Sequence, residues 1–164
     1  EENIMEQAVI SGIAHNKDEA KLSLIGVPDK PGIAFKILKN ISDANIEVDM
    51  IVQSVSAREG LTNFAFTVHR NDFDKAQSIL QTVCDELGAI SVQSDDKVVK
   101  VSLVGIGMRS HAGIAAQMFE VLHNEAINIQ MISTSEIKIS VVIDEKYLEL
   151  AVRSLHSAFN LDKE

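Results

Sequence analysis

The chain is written twice. KLSLIG at 21–26 returns as KVSLVG at 100–105, GIAFKIL at 32–38 as GIAAQMF at 113–119, and ANIEVDMI at 44–51 as AINIQMIS at 126–133. The first pair is offset by 79 residues and the second by 81, which places a two-residue insertion in the loop between them. A period near 80 is too long for a solenoid repeat and suits a small domain. Any fold assigned to one copy must therefore also account for the other.

Each copy reads in the same order. Leu22 and Leu24, like Val101 and Leu103, alternate with Ser, the pattern of a half-buried strand. Ala34, Ile37, Leu38 and Ile41 fall at i, i+3, i+4 and i+7, as do Ala115, Met118, Phe119 and Leu122, so each copy has a helix with one apolar face. Strands are expected over 46–54 and 127–134, where Ile46, Val48 and Met50 match Ile127, Ile129 and Met131. A third strand carries Phe64, Phe66 and Val68, or Ile139, Val141 and Ile143. The second helix carries Ala76, Ile79, Leu80 and Val83 in one copy, and Leu148, Ala151, Val152 and Leu155 in the other. A final strand near 89–93 closes the first copy. The order β-α-β-β-α-β predicts an α+β, ferredoxin-like domain with antiparallel strands and helices on one face.

The second copy has no room for its last strand, since only 159–164 remain after its second helix. Meanwhile AVISGIA at 8–14 reads as a strand with no place in the first copy. The economical arrangement places 16–95 as one domain, inserted within a second made of 96–164 and the N-terminal strand 8–14.

Composition narrows the function. Fifteen Lys and Arg stand against 24 Asp and Glu, a formal charge of −9, with no dense basic block. That disfavours nucleic acid and anionic membranes as partners, but not a small anionic or zwitterionic ligand. Hydrophobic residues make up 46% and aromatics only 4%, so the core must be mostly aliphatic. Cys84 has no second cysteine to pair with and reads as core filler in a reducing compartment. No apolar run reaches membrane-span length and EENIMEQAV lacks a signal-peptide layout, so a cytoplasmic location is expected. A start on Glu1 rather than Met suggests a piece of a longer chain or a processed form.

No catalytic constellation emerges. His15, His69, His111, His123 and His156 are scattered, with no ligand spacing, so no metal site is expected. Gly105-Ile-Gly107-Met-Arg-Ser110 resembles a dinucleotide fingerprint with Ser at the third glycine position. The strand that follows it turns at 134–136 into another strand, however, which is a hairpin and not a parallel crossover unit.

GVPDKPG at 26–32 is the best candidate. Pro31 suits the first turn of a helix, and Gly32 allows close approach to the backbone. The free N–H groups of such a turn face a carboxylate or phosphate on one reading. On the other, the segment is a capped turn with a surface Asp29 and Lys30.

With VPDKPGIA (27–34), IEVDMIVQSVS (46–56) and NIQMISTSEIKISVVI (128–143), the chain resembles the tandem ACT domains in the regulatory region of bacterial aspartate kinases. The resemblance implies a regulatory chain without the kinase domain: not itself an enzyme, and with ATP and magnesium confined to that missing domain. It implies feedback inhibition by lysine, threonine or both, bound where ACT sheets pair, a homodimer formed through those sheets, and a catalytic domain or subunit as partner. On this resemblance the effector cradle comprises Asp29, Lys30, Pro31, Gly32, Ile33 and Ala34, with Gln53 and Ser56 at the end of the second strand. Asp49 is a candidate for side-chain discrimination. In the second copy Ser133, Thr134, Ser135 and Glu136 match the family's STSE segment, Glu136 facing a lysine ammonium. GIGMRSHAG (105–113) departs from the marker, lacking Asp and Pro, and suits a partner surface or a different effector. The alternatives are a regulatory module of another amino-acid biosynthetic enzyme and a bare dimerisation module.

Overall fold

The computed structural model describes residues 9–108 and 112–161. Residues 1–8, with Ala8 of the strand expected at 8–14, and residues 109–111 and 162–164 lie outside the described residues. The strands are β1 (Val9–Pro28), β2 (Val48–Val55), β3 (Leu61–His69), β4 (Ser91–Ile106), β5 (Met131–Thr134) and β6 (Lys138–Asp144). The helices are α1 (Ile33–Asp43), α2 (Phe73–Leu87), α3 (Ala112–Asn124) and α4 (Leu148–Ala158).

The chain divides into two compact units, an inserted unit Asp18–Lys97 and a split unit made of the chain up to Lys17 together with the chain from Val98 onward. β1 and β4 each contribute one half to each unit. The strand order is β2-β3-β1-β4 in the inserted unit and β1-β4-β6-β5 in the split unit. β3 is antiparallel to both β1 and β2, and β6 to both β4 and β5. The split unit takes its remaining strand from the N-terminal half of β1, where Ser11 Oγ donates to the Val104 carbonyl at 3.1 Å.

Each unit buries one sheet face under two helices. In the inserted unit Leu22, Leu24, Phe64, Phe66 and Val68 meet Ile37 and Ile41 of α1 and Leu80 and Val83 of α2. In the split unit Val101, Leu103, Ile139, Val141 and Ile143 meet Met118, Leu122, Ala151 and Leu155. Period-two alternation on the strands and the 3–4 residue spacing on the helices dictate these contacts. Phe64 and Phe66 lie with ring centroids 6.2 Å apart. Cys84 packs in the first core, where burial and the neighbouring Asp85 push its thiol pKa up.

The sheets differ from the sequence expectation in two places. Strands expected at 8–14 and 21–26 are one strand, and those at 89–93 and 100–105 are another. The polar stretches HNKDEA and SDDK remain extended because the ladder is made by backbone groups, whatever the side chains. The strand expected over 127–134 begins only at Met131. Ile127 is buried nonetheless, so apolar alternation there reports packing without pairing.

Both first helices end on a left-handed residue, Asn45 at φ 61° and its counterpart Ala126 at φ 59°. Their N–H groups donate to Ser42 and His123 carbonyls at 2.9 Å, closing the last turn. Asn tolerates this conformation, whereas the Cβ of Ala does not. Ala126→Gly is therefore expected to raise stability by about 1 kcal/mol. An unchanged or lower midpoint in urea unfolding would contradict that account.

Candidate functional site

The loop between β1 and α1 is fixed by two backbone contacts. The Asp29 N–H donates to the Gly60 carbonyl at 2.9 Å, tying the loop to the β2–β3 hairpin. The Ile33 N–H donates to the Lys30 carbonyl at 3.3 Å across Pro31 and Gly32. With Gly32 at φ 91°, this is a type II turn, Pro second and Gly third. Pro31 therefore does not open the helix as its sequence position suggests: α1 starts at Ile33, with Gly32 as its N-cap. A side chain at residue 32 would cost about 1–2 kcal/mol for that φ, although the space around it is open.

The turn also changes which donors are available. Ile33 spends its N–H inside the turn and buries its side chain, and Lys36 donates to the Gly32 carbonyl at 3.0 Å. No side chain caps this helix. The Ala34 and Phe35 N–H groups are thus left pointing out of the helix end, with Asp29, Lys30, Pro31 and Gly32 exposed before them and Ala34 half-buried. The positive end of the helix dipole adds to the attraction for an anion. Phe35, 67% exposed, stands beside these donors. The sequence reading did not single it out, though an aromatic residue off the helix's apolar face was the available signal.

The other candidates spread out from there. The Gln53 amide donates to Thr62 Oγ1 at 3.4 Å, and that hydroxyl donates to the Ser54 carbonyl at 2.8 Å. Thr62 is buried and sets the Gln53 side chain, a role sequence reasoning missed. Ser56 begins the hairpin, its hydroxyl accepting from Arg58 N–H at 3.2 Å. Gln53 and Ser56 lie beyond β3 from the loop, two strand spacings or about 10 Å away. Asp49 sits at the opposite end of β2, about 20 Å from the hairpin along the strand, so it is not gathered with Asp29. β2 is the edge strand of its unit and exposes Ile51 and Val55.

Ser133, Thr134, Ser135 and Glu136 are exposed at the end of β5 and its hairpin. Ser135 is occupied locally, its hydroxyl accepting from Lys138 N–H at 3.2 Å. The Glu136 carbonyl accepts from Met108 N–H at 3.3 Å, the counterpart of the Asp29–Gly60 tie. The copies part at this position. An offset of 79 matches Asp29 to Met108, and where the first copy exposes a carboxylate the second buries a thioether, 2% exposed, in its core.

Among the described residues, no group of three or more His, Cys, Asp and Glu side chains is placed to hold a metal ion, and no helix is long and apolar enough to cross a membrane.

Residues 22–88 and 101–159 each match an ACT domain model. An aspartate kinase of Pseudomonas fluorescens is 67% identical over 99% of this chain, which spans 39% of that protein. Among solved structures, a chain of the aspartokinase alpha and beta subunits is 56% identical, with 93% of this chain and 99% of that one covered and a TM-score of 0.86. The regulatory subunit of aspartate kinase from Thermus thermophilus, in its ligand-free form, is 39% identical over 92% of this chain and 98% of its own, with a TM-score of 0.85.

Proposed function

This chain belongs to the family of paired ACT domains that form the regulatory part of aspartate kinases, and from that premise we propose that it senses lysine, threonine or both and relays feedback inhibition to a kinase catalytic domain. The observation that carries the proposal is the end of the inserted sheet, where exposed Asp29 lies in the loop leading into α1, whose Ala34 and Phe35 N–H groups no side chain caps. A free amino acid carries a carboxylate and an ammonium on one carbon. The helix end suits the first and Asp29 the second. Gln53, Ser56 and Asp49 lie on or next to the edge strand β2, and they join the site where two such edges meet in a homodimer. The exposed Ile51 and Val55 support that pairing. Ser133, Thr134, Ser135 and Glu136 contribute in the same way from the edge of the split unit.

Inhibition then works as a population shift. The effector favours one arrangement of paired domains, and that arrangement favours the inactive kinase, with a coupling of typically ~1–3 kcal/mol. Phosphoryl transfer, ATP, magnesium and the cytoplasmic setting belong, on this proposal, to the longer parent enzyme.

Thermal unfolding at fixed protein concentration tests it, with lysine, threonine, both together, and other amino acids as controls. An effector at 100 times its dissociation constant should stabilise the fold by ~2.7 kcal/mol. Asp29→Ala and Gln53→Ala should abolish most of that rise while leaving the unliganded transition in place, since both side chains are exposed. A flat response of the unaltered chain to lysine and threonine would refute the proposal. A full response in both variants would refute the cradle.

A further inference from the structure

The split unit holds a cavity of about 800 Å³ between the N-terminal half of β1 and one face of α4 with the turn before it. Lys17 reaches it from β1, and Lys146 and Arg153 from the other side. Among the described residues none of the three is in an ion pair, and the Lys146 ammonium instead rests 5.1 Å from the centre of the Tyr147 ring. His15 and His156 add imidazole donors from the same two sides, and Leu148 and Val152 add apolar lining. Glu145 and Glu149 also line the cavity, so its fixed charge is +1, within a chain whose net charge is −9.

We propose that this groove binds a small phosphate-bearing anion. Three cations that form no ion pair among the described residues, drawn from separate elements, converge on one space. A single carboxylate would answer one of them, whereas a phosphate chain presents several charged oxygens, which Arg and Lys bind through charge-assisted hydrogen bonds. The volume exceeds a bare diphosphate and falls in the range of organic ligand sites. The apolar surface of Leu148 and Val152 suits an organic part, and Glu149 suits its hydroxyl groups. The local excess of positive charge draws anions toward this face of an otherwise acidic protein.

The test uses the full 17.9 kDa chain, titrated with pyrophosphate, with ADP and with succinate while amide NMR shifts are followed. Pyrophosphate or ADP should give saturable shifts at His15, Lys17, Lys146, Arg153 and His156, weakening as salt is raised. Arg153→Gln and Lys17→Gln should each lower the affinity about tenfold or more. Lys39→Gln, an exposed α1 position paired with Asp43, should change nothing. Saturation by both probes, or by ADP alone, supports the site and distinguishes a bare polyphosphate from a nucleotide. No saturable shift in the groove, equal binding of succinate, or unaltered affinity in both groove variants would overturn the proposal.

Discussion

Deleting the chain up to Lys17 should loosen the far half of the sequence and leave the adjacent half folded. The deleted strand segment belongs to the split unit, while Asp18 onward belongs to the inserted one. Glu19 to Pro28 keep their register against β3, from Glu19 opposite His69 to Pro28 opposite Leu61. What disappears is the strand beside the second half of β4. Ile10 and Ile13, packed against the second core, go with it, as does the Ser11–Val104 hydrogen bond. Loss of that burial and of a row of ladder bonds should cost the split unit at least about 3 kcal/mol. The readout is hydrogen exchange: rates across 98–106, β6, α3 and α4 should rise about a hundredfold or more. Loss of protection confined to 18–97 would show that β1 belongs wholly to its sequence neighbours.

That outcome turns on a feature legible in the sequence. The strand pattern at 8–14 has no place in the first copy, whose four strands are already accounted for. Apolar periodicity was equally readable, since Leu22, Ile37, Phe66 and Leu80 and their counterparts bury the faces their spacing dictates. Four other features were not legible. The middles of β1 and β4 look like loops, because backbone pairing leaves no trace in HNKDEA. Pro31 looks like a helix start because a type II turn and a first helical turn both begin well with proline, and only the positive φ of Gly32 separates them. The cationic groove joins His15 and Lys17 to Arg153 and His156, which lie far apart in the chain and meet only through tertiary structure. The missing Asp and Pro in the second copy's loop were plain. What replaced them was not, since a methionine in a loop does not declare whether it points in or out.

Met108→Asp makes that last difference measurable. By sequence it repairs the duplication, giving the second copy the carboxylate that the first carries at Asp29. By structure it places a charge where a thioether lies 2% exposed among Leu103, Met118 and Ile139. Removing a buried methionine side chain costs about 2–5 kcal/mol from lost burial and the cavity left behind. Desolvating a carboxylate with no partner adds to that, or drives it to take up a proton. A destabilisation of at least ~3 kcal/mol is therefore expected, read as a lower urea midpoint with exchange protection lost chiefly in α3, α4 and β6. Met108→Leu, which keeps volume and polarity, should cost under about 1.5 kcal/mol. An aspartate variant as stable as the leucine variant would mean the side chain reaches solvent, and the two loops would then be equivalent in structure after all. The expected loss means the opposite. Duplication copied the frame of the β1–α1 loop, but in the second copy the chain gave that position to the core.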